Sequence, residues 1–313
     1  MEYITLKNSD LKVSRFQMGG CPMGGYGWGQ TNEEDFLKAI SVALSNGVNF
    51  FDTADTYGLG QSEITLAKGI KGKRQDVIIQ SKFGVRVENG KTVYDNSPKY
   101  MKEALEKSLT RLNTDYIDIY VIHYRDNTPI EEVVYGLKTL QKEGKIRNFG
   151  LSNIKKDGIE EFLPFKNLFV NCQLEYSLAC RNYEQDLLMV VDKLNVTPLT
   201  WGSLGQGILT GKYDINTVFD KNDRRSRDIY VNFHGEKLKK NLEIVEKLKI
   251  IAKNHNKSVA STAIRFILDN IKDSVVIAGV KNEKQMLSNL EAFNWSLTNE
   301  ELEILNEVSL WIK

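Results

Sequence analysis

Short apolar runs alternate along the chain with longer stretches in which apolar residues recur every three or four positions. The short runs are rich in Val, Ile and Phe. They predict strands at Arg15–Met18, Val48–Asp52, Val77–Ser81, Ile117–Ile122, Asn148–Leu151, Leu168–Gln173, Thr197–Trp201 and Val275–Ala278. Several are nearly continuously apolar, as a strand covered on both faces is. The longer stretches predict amphipathic helices. "TNEEDFLKAISVALSNG" opens with Thr31 as N-cap, carries Glu34 three residues later and stops at Gly47. "SPKYMKEALEKSLTRLN" starts with Ser97 as cap and Pro98 at the first helical position, and "TPIEEVVYGLKTLQKEGK" repeats that opening with Thr128 and Pro129.

Strict alternation of strand and helix calls for a parallel sheet, and eight such strands suggest a closed (β/α)8 barrel, a TIM barrel. A doubly wound open sheet is the alternative, weakened because no GxGxxG opens a helix after the first strand. Three parts fall outside the repeat. Residues 3–14, "YITLKNSDLKVS", alternate and turn near Asn8–Asp10, which predicts an N-terminal β-hairpin plugging the barrel's bottom. The stretch from Gly202 to Lys257 holds the basic loop "DKNDRRSRD" and a long helix near Glu236–His255. Long insertions after barrel strands usually belong to the site. The chain closes with an extra C-terminal helix, "NEELEILNEVSL", leaving little tail to cover the barrel mouth. Residues 1–313 read as a single barrel domain.

Composition narrows the function. Of 313 residues, 41% are hydrophobic and 27% charged, enough to bury a large core. A net charge of +1 supplies no field toward nucleic acid or an acidic membrane. No apolar run reaches spanning length, and the N-terminus lacks an apolar signal core. Cys21, Cys172 and Cys180 are odd in number and lack metal-type spacing, which fits a reduced cytoplasmic protein. Cys172, within "LFVNCQL", reads as packing. The three histidines lack ligand spacing, which argues against a metal hydrolase.

Candidate chemistry sits where strands end. Asp52 closes the second strand, with Tyr57 in the following loop; Lys82 closes the third and His123 the fourth. Carboxyl ends of barrel strands converge on one face, so these four side chains should meet. A nearby ammonium should lower the pKa of a phenol. Lys82 can supply that charge, Asp52 can hold Lys82, and His123 can donate to an oxygen at the same spot. Such a set suits protonation of an oxygen that gains negative charge. A carbonyl receiving hydride generates one, and the hydride requires a nicotinamide cofactor.

"FDTADTYG", "SEITLAKGIK", "SKFG", "SLTRLNTDYIDIYVIHYRD", "GKIRNFGLSN", "GILTGKY" and "GVKNEKQMLSNL" together resemble the aldo-keto reductase superfamily, in order and over nearly the whole chain. The branch resembled is the bacterial and channel-subunit-like one. The resemblance implies a (β/α)8 barrel that reduces aldehydes or ketones with NADPH, with a tetrad of Asp52, Tyr57, Lys82 and His123 and with Tyr57 as general acid. It assigns the nicotinamide carboxamide to Ser152, Asn153 and Gln173, and the ring face to Trp201. Gly202 and Ser203 stand where the family usually has Ser-Pro. Leu204, Gly207, Leu209 and Lys212 fall in the segment that wraps the pyrophosphate. Gly279 and Lys281 precede a helix carrying Gln285 and Asn289, and a helix N-terminus with a lysine suits the adenosine 2′-phosphate.

Two other functions are consistent with this pattern. Some relatives act as NADP(H)-sensing, non-catalytic subunits of channels, typically without the histidine that His123 supplies here. Arg224, Arg225 and Arg227 could instead hold a nucleotide-linked or phosphorylated sugar for ketoreduction. Tyr26 and Trp28 in the first loop, with Tyr124 and Arg125 after the fourth strand, are expected to line a pocket for small carbonyl compounds.

Overall fold

The computed structural model describes residues 1–25 and 27–310. Eight parallel strands close into a barrel in chain order: β3 (Phe16–Gly19), β4 (Phe50–Asp52), β5 (Ile78–Phe83), β8 (Ile117–Ile122), β9 (Ile146–Ser152), β10 (Phe169–Glu175), β11 (Thr197–Trp201) and β12 (Val275–Gly279). The last strand pairs with the first, Val276 opposite Phe16 through Gly279 opposite Gly19. The expected (β/α)8 architecture is therefore present, and the open sheet is excluded by this closing pair. Outward residues such as Met18, Phe51 and Ile79 pack under helices α1 (Glu33–Ser45), α2 (Gln61–Gly69), α3 (Pro98–Leu112) and α4 (Ile130–Lys142). The circuit continues with α5 (Glu184–Leu194), α6 (Gly235–Asn254), α7 (Val259–Asn270), α8 (Glu283–Leu290) and the C-terminal α9 (Asn299–Ser309).

The N-terminal hairpin, β1 (Tyr3–Thr5) with β2 (Lys12–Ser14), closes the bottom of the barrel. Leu6 and Val13 join the inward-facing Phe50, Ile119, Val121, Val170, Leu199, Val275 and Ile277 in a second core inside the barrel. Asn8 Nδ2 pins the turn by donating to the carbonyls of Phe169 (2.8 Å) and Asn195 (2.9 Å). Burying each of the two apolar side chains contributes about 1.5–3 kcal/mol.

Local differences from the sequence reading have simple causes. α1 is capped by Asn32, whose side chain accepts from the Glu34 amide at 2.8 Å, rather than by Thr31. Ser97 caps α3 as expected, its hydroxyl accepting from the Tyr100 amide. Pro129 takes the cap position of α4, while Thr128 bonds Asp126 instead. β9 is followed by 3-10 turns at 156–158 and 160–165, the second containing Pro164, in place of an α-helix. An antiparallel hairpin, β6 (Val85–Glu88) with β7 (Lys91–Tyr94), was not expected. Its signal is "ENGK": Asn89 and Gly90 both take positive φ, as a tight hairpin turn requires. Among the described residues no helix is long and apolar enough to cross a membrane.

Candidate active site

The carboxyl ends of the strands open on a cleft of about 650 Å3, lined by Asp52, Tyr57, Lys82 and His123 together with residues from the β9, β10, β11 and β12 ends. The loop carrying Tyr57 is held by close backbone packing. Gly58 has φ +61°, and a Cβ there would lie 2.2 Å from the Gly24 carbonyl oxygen, so any larger residue would drive the two loops apart.

Lys82, 1% exposed, organises the centre. Its ammonium donates to Asp52 Oδ1 at 2.6 Å, to the Thr53 carbonyl at 3.0 Å and to the Tyr57 hydroxyl at 3.1 Å. An ammonium has three protons, and all three are used. The Tyr57 oxygen accepts from Lys82, so its own proton is left for an acceptor in the cleft. His123 stands edge-on to Tyr57 with ring centres 6.0 Å apart, and its Nδ1 has no partner among the described residues.

The expected lowering of the Tyr57 pKa is corrected by the structure. Burial pushes the phenol well above its ordinary range, and the Asp52 charge adds to the rise. The physical reason is desolvation first: a phenolate here would lose its hydration, and the Asp52 carboxylate that faces Lys82 at 2.6 Å would repel it. Tyr57 is thus held as the neutral, proton-carrying form. Burial, with the Lys82 charge, pushes His123 well below its ordinary range and keeps the imidazole neutral.

Ser152, Asn153 and Gln173 lie beside this centre and are bonded into it. Asn153, at φ +60°, donates from Nδ2 to the His123 carbonyl (3.1 Å) and to Ser152 Oγ (3.0 Å). Gln173 Nε2 donates to Asp52 Oδ1 at 2.9 Å. Trp201 ends β11 in the cleft wall, and its indole Nε1 has no partner among the described residues. Gly202, Ser203, Leu204, Gly207 and Lys212 continue that wall. Leu209 does not: it is fully buried in the main core, because the 3-10 turn at 205–210 rotates it inward. Gly279, Lys281, Gln285 and Asn289 form the far end. The Lys281 ammonium donates to the Trp28 carbonyl, and Gln285 Oε1 accepts from the Lys281 amide at 2.9 Å.

Trp28 and Tyr124 line the cleft; Tyr26 lies outside the described residues. Arg125 does not reach it. Its guanidinium is clamped to Glu161 at 2.9 and 2.8 Å and to Asn96 Oδ1 at 2.7 Å, a planar fork matched to a carboxylate. Of the three loop arginines, Arg224 and Arg225 line the cleft and Arg227 does not. Arg225 grips Asp223 at 2.9 and 2.6 Å and bonds the Tyr213 hydroxyl at 2.5 Å. Arg224 sits over the Trp28 ring and lines the cleft, whereas Arg227 lies outside its wall. Cleft residues absent from the sequence reading include Cys21, Pro22, Gln206 and Tyr230. Tyr94 of β7 also supports the wall, 5.5 Å from Tyr124 ring to ring, and the Asn-Gly turn was the signal that could have found it.

The shape and donors fit a nicotinamide dinucleotide. Buried amide and hydroxyl groups, and an indole N–H with no partner among the described residues, stand at the Tyr57 end. Cations crowd the other end: burial and the neighbouring Arg225 and Lys212 charges push the Lys281 ammonium below its ordinary range, Asp223 opposing. Crowded like charges mark a place where an anion is welcome.

The Aldo/keto reductase family matches residues 17–310. The chain is 34% identical over 312 residues to aldo-keto reductase YhdN of Bacillus subtilis, covering 98% of this chain and 93% of that one. It is 30% identical to aldo-keto reductase yakc [NADP(+)] of Schizosaccharomyces pombe, over 90% of this chain and 84% of that one. It is 28% identical to the NADH-specific methylglyoxal reductase of Escherichia coli, over 99% and 98%. The glycerol dehydrogenase AKR11B4 of Gluconobacter oxydans superposes with a TM-score of 0.87 at 31% identity, over 98% of this chain and 94% of that one.

Proposed function

We propose that this chain, which belongs to the aldo/keto reductase family, reduces small aldehydes or ketones with Tyr57 as the proton donor. The coarser activity comes with the family: the protein is an oxidoreductase of the NADP(H)-dependent kind. When bound, the cofactor supplies hydride to the carbonyl carbon. Ser152, Asn153 and Gln173 would hold its carboxamide, Trp201 its ring face, and Lys212, Lys281 and the α8 N-terminus its phosphates.

The observation that carries the reading is the full use of the Lys82 ammonium. As negative charge develops on the substrate oxygen, Tyr57 gives its proton to that oxygen. The phenolate left behind already faces a Lys82 N–H at 3.1 Å, a donor in place before the charge appears. Asp52 keeps Lys82 charged and aimed. The neutral His123 retains one ring N–H and can donate it to the same oxygen. Trp28 and Tyr124 supply apolar walls that take small carbonyl compounds without demanding one. The relatives' names, methylglyoxal reductase and glycerol dehydrogenase, point the same way. We place the chain in the bacterial and channel-subunit-like branch, and in the cytoplasm, where free thiols such as those of its three cysteines persist.

Replacing Tyr57 with Phe removes one oxygen and keeps the ring. Reduction of a small-carbonyl panel with NADPH should fall at least about a hundredfold, while NADPH affinity stays within a few-fold. Near-normal turnover of Tyr57→Phe with hydride transfer rate-limiting would overturn the assignment. A parent protein that binds NADPH but oxidises none across the panel would favour a binding subunit.

A further inference from the structure

Below the cleft, the barrel interior carries amides where apolar residues would pack more simply. Gln80 on β5 and Asn171 on β10 are both fully buried. Neither borders the cleft, so neither can meet substrate or cofactor. They are nevertheless joined in series to the catalytic carboxylate. Asn171 Nδ2 donates to Gln80 Oε1 at 2.8 Å, and Gln80 Nε2 donates to Asp52 Oδ1 at 3.1 Å. A carboxylate accepts only, so Gln80 must turn its Nε2 end to Asp52, which leaves its Oε1 to be satisfied on the far side. Asn171 supplies that donor and so supports the orientation in which Gln80 meets Asp52, while Asn171 Oδ1 itself has no partner among the described residues.

The same oxygen, Asp52 Oδ1, takes three N–H bonds: Lys82 at 2.6 Å, Gln173 at 2.9 Å and Gln80 at 3.1 Å. Space has been kept for this arrangement. A Cβ at Gly150 would lie 2.6 Å from Asn171 Oδ1 and 2.8 Å from a Val121 methyl, so the glycine leaves room for the amide. Burying two amides is costly unless they are bonded, and a matched apolar pair would fill the space without that demand.

We propose that Gln80 and Asn171 are positioning residues for proton transfer, acting on Tyr57 through Asp52 and Lys82. This rests on the reading of Tyr57 as proton donor. Gln80 anchors the Asp52 carboxylate from below, and Asp52 aims the Lys82 ammonium. The third proton of that ammonium then faces the Tyr57 oxygen at the distance needed when the phenolate forms. Loosening the anchor leaves the phenol in place but weakens the donor behind it.

The test uses Q80L/N171L, which removes both amides together and leaves neither orphaned. Turnover of a small aldehyde with NADPH should fall about ten- to a hundredfold, with KM within about threefold because the pocket is untouched. The solvent deuterium isotope effect on kcat should rise as proton transfer becomes limiting. NADPH affinity, measured by fluorescence titration without turnover, should stay within a few-fold. A purely structural role predicts lower thermal stability with kcat and isotope effect unchanged, and that outcome overturns the proposal. If the double variant does not fold, Gly150→Ala decides by the same readings, since it displaces the Asn171 amide without deleting it; unchanged values there reject the proposal. Tyr57→Phe is run alongside. Full activity in Tyr57→Phe removes the proton-donor reading itself, whereas a dead Tyr57→Phe beside a normal Q80L/N171L rejects the positioning role alone.

Discussion

Two titratable groups, His123 in the cleft wall and Asp55 behind it, respond to pH in opposite senses. Asp55, two residues before Tyr57, is pushed up to about 7 by burial and by the Glu63 charge, with Arg111 opposing. Its Oδ2 receives the Tyr100 hydroxyl at 3.3 Å, a contact that, with a backbone bond from Thr56, offsets the rise only in part. The native state therefore holds a proton that the unfolded chain has released. Stability from this group is present in acid and is lost as pH rises toward and through about 7. His123 acts the other way. Its folded pKa is depressed, so stability falls as pH drops below about 6.5, where the unfolded chain takes up the proton. Asp55→Asn removes the first effect alone. Thermal unfolding should show the variant gaining more at about pH 8 than at about pH 5; an equal shift at both would show that Asp55 is not carrying the buried charge.

The hairpin of β1 and β2 is the element whose role is most easily measured. It lies at the barrel end opposite the cleft, yet it completes the inner core on which the strand ends rest. Leu6, 1% exposed, is its main apolar anchor. Leu6→Ala should lower the unfolding free energy by about 2–5 kcal/mol, the usual range for a buried leucine, as read by urea titration. Activity per folded molecule should hardly change, because the hairpin lies at the barrel end opposite the cleft and Leu6 does not line it. A loss below about 1 kcal/mol would mean the hairpin packs loosely. At the cleft end, β6 and β7 extend the wall through Tyr94, while the 3-10 turns after β9 show that one helix of the repeat can be reduced without breaking the barrel.

Across the whole molecule, the cleft joins the end that holds Asp52, Tyr57, Lys82 and His123 to a cationic end at α8 and the loop after β11. Cofactor choice belongs to this scale, since the two ends must fit one molecule. Lys281 stands just before α8, and no acidic residue occupies Gln285 to bond a ribose hydroxyl. NADPH should therefore bind more tightly than NADH. Lys281→Ala should weaken NADPH by about 1.5–3 kcal/mol, the worth of one hydrogen bond to a charged group, and hardly move NADH, as followed by fluorescence titration. Equal affinities of the parent for both cofactors would sink the preference. The kinship with both an NADP(+) and an NADH-specific relative makes this a real choice.

Much of the architecture is legible in one dimension because its causes are local. A buried strand needs a continuous apolar run and a helix needs a 3.6-residue stripe, so the eight strands and the hairpin can be read from neighbours in the chain. Asp52, Lys82 and His123 are legible for the same reason: a polar residue ending an apolar strand lands at the barrel mouth. The capping choice of Asn32 over Thr31 turns on a single rotation and is not legible. Arg125 looked like a pocket residue because its partner, Glu161, lies 36 positions away and only folding brings them together. Leu209 turned into the core because one 3-10 turn decides its direction. The state of Tyr57 is the clearest case. The sequence places a lysine near a phenol; the structure also places Asp52 2.6 Å from that lysine, buries the pair and takes the phenol out of water beside it. Charge compensation and desolvation depend on distances across the barrel, which no order of residues contains.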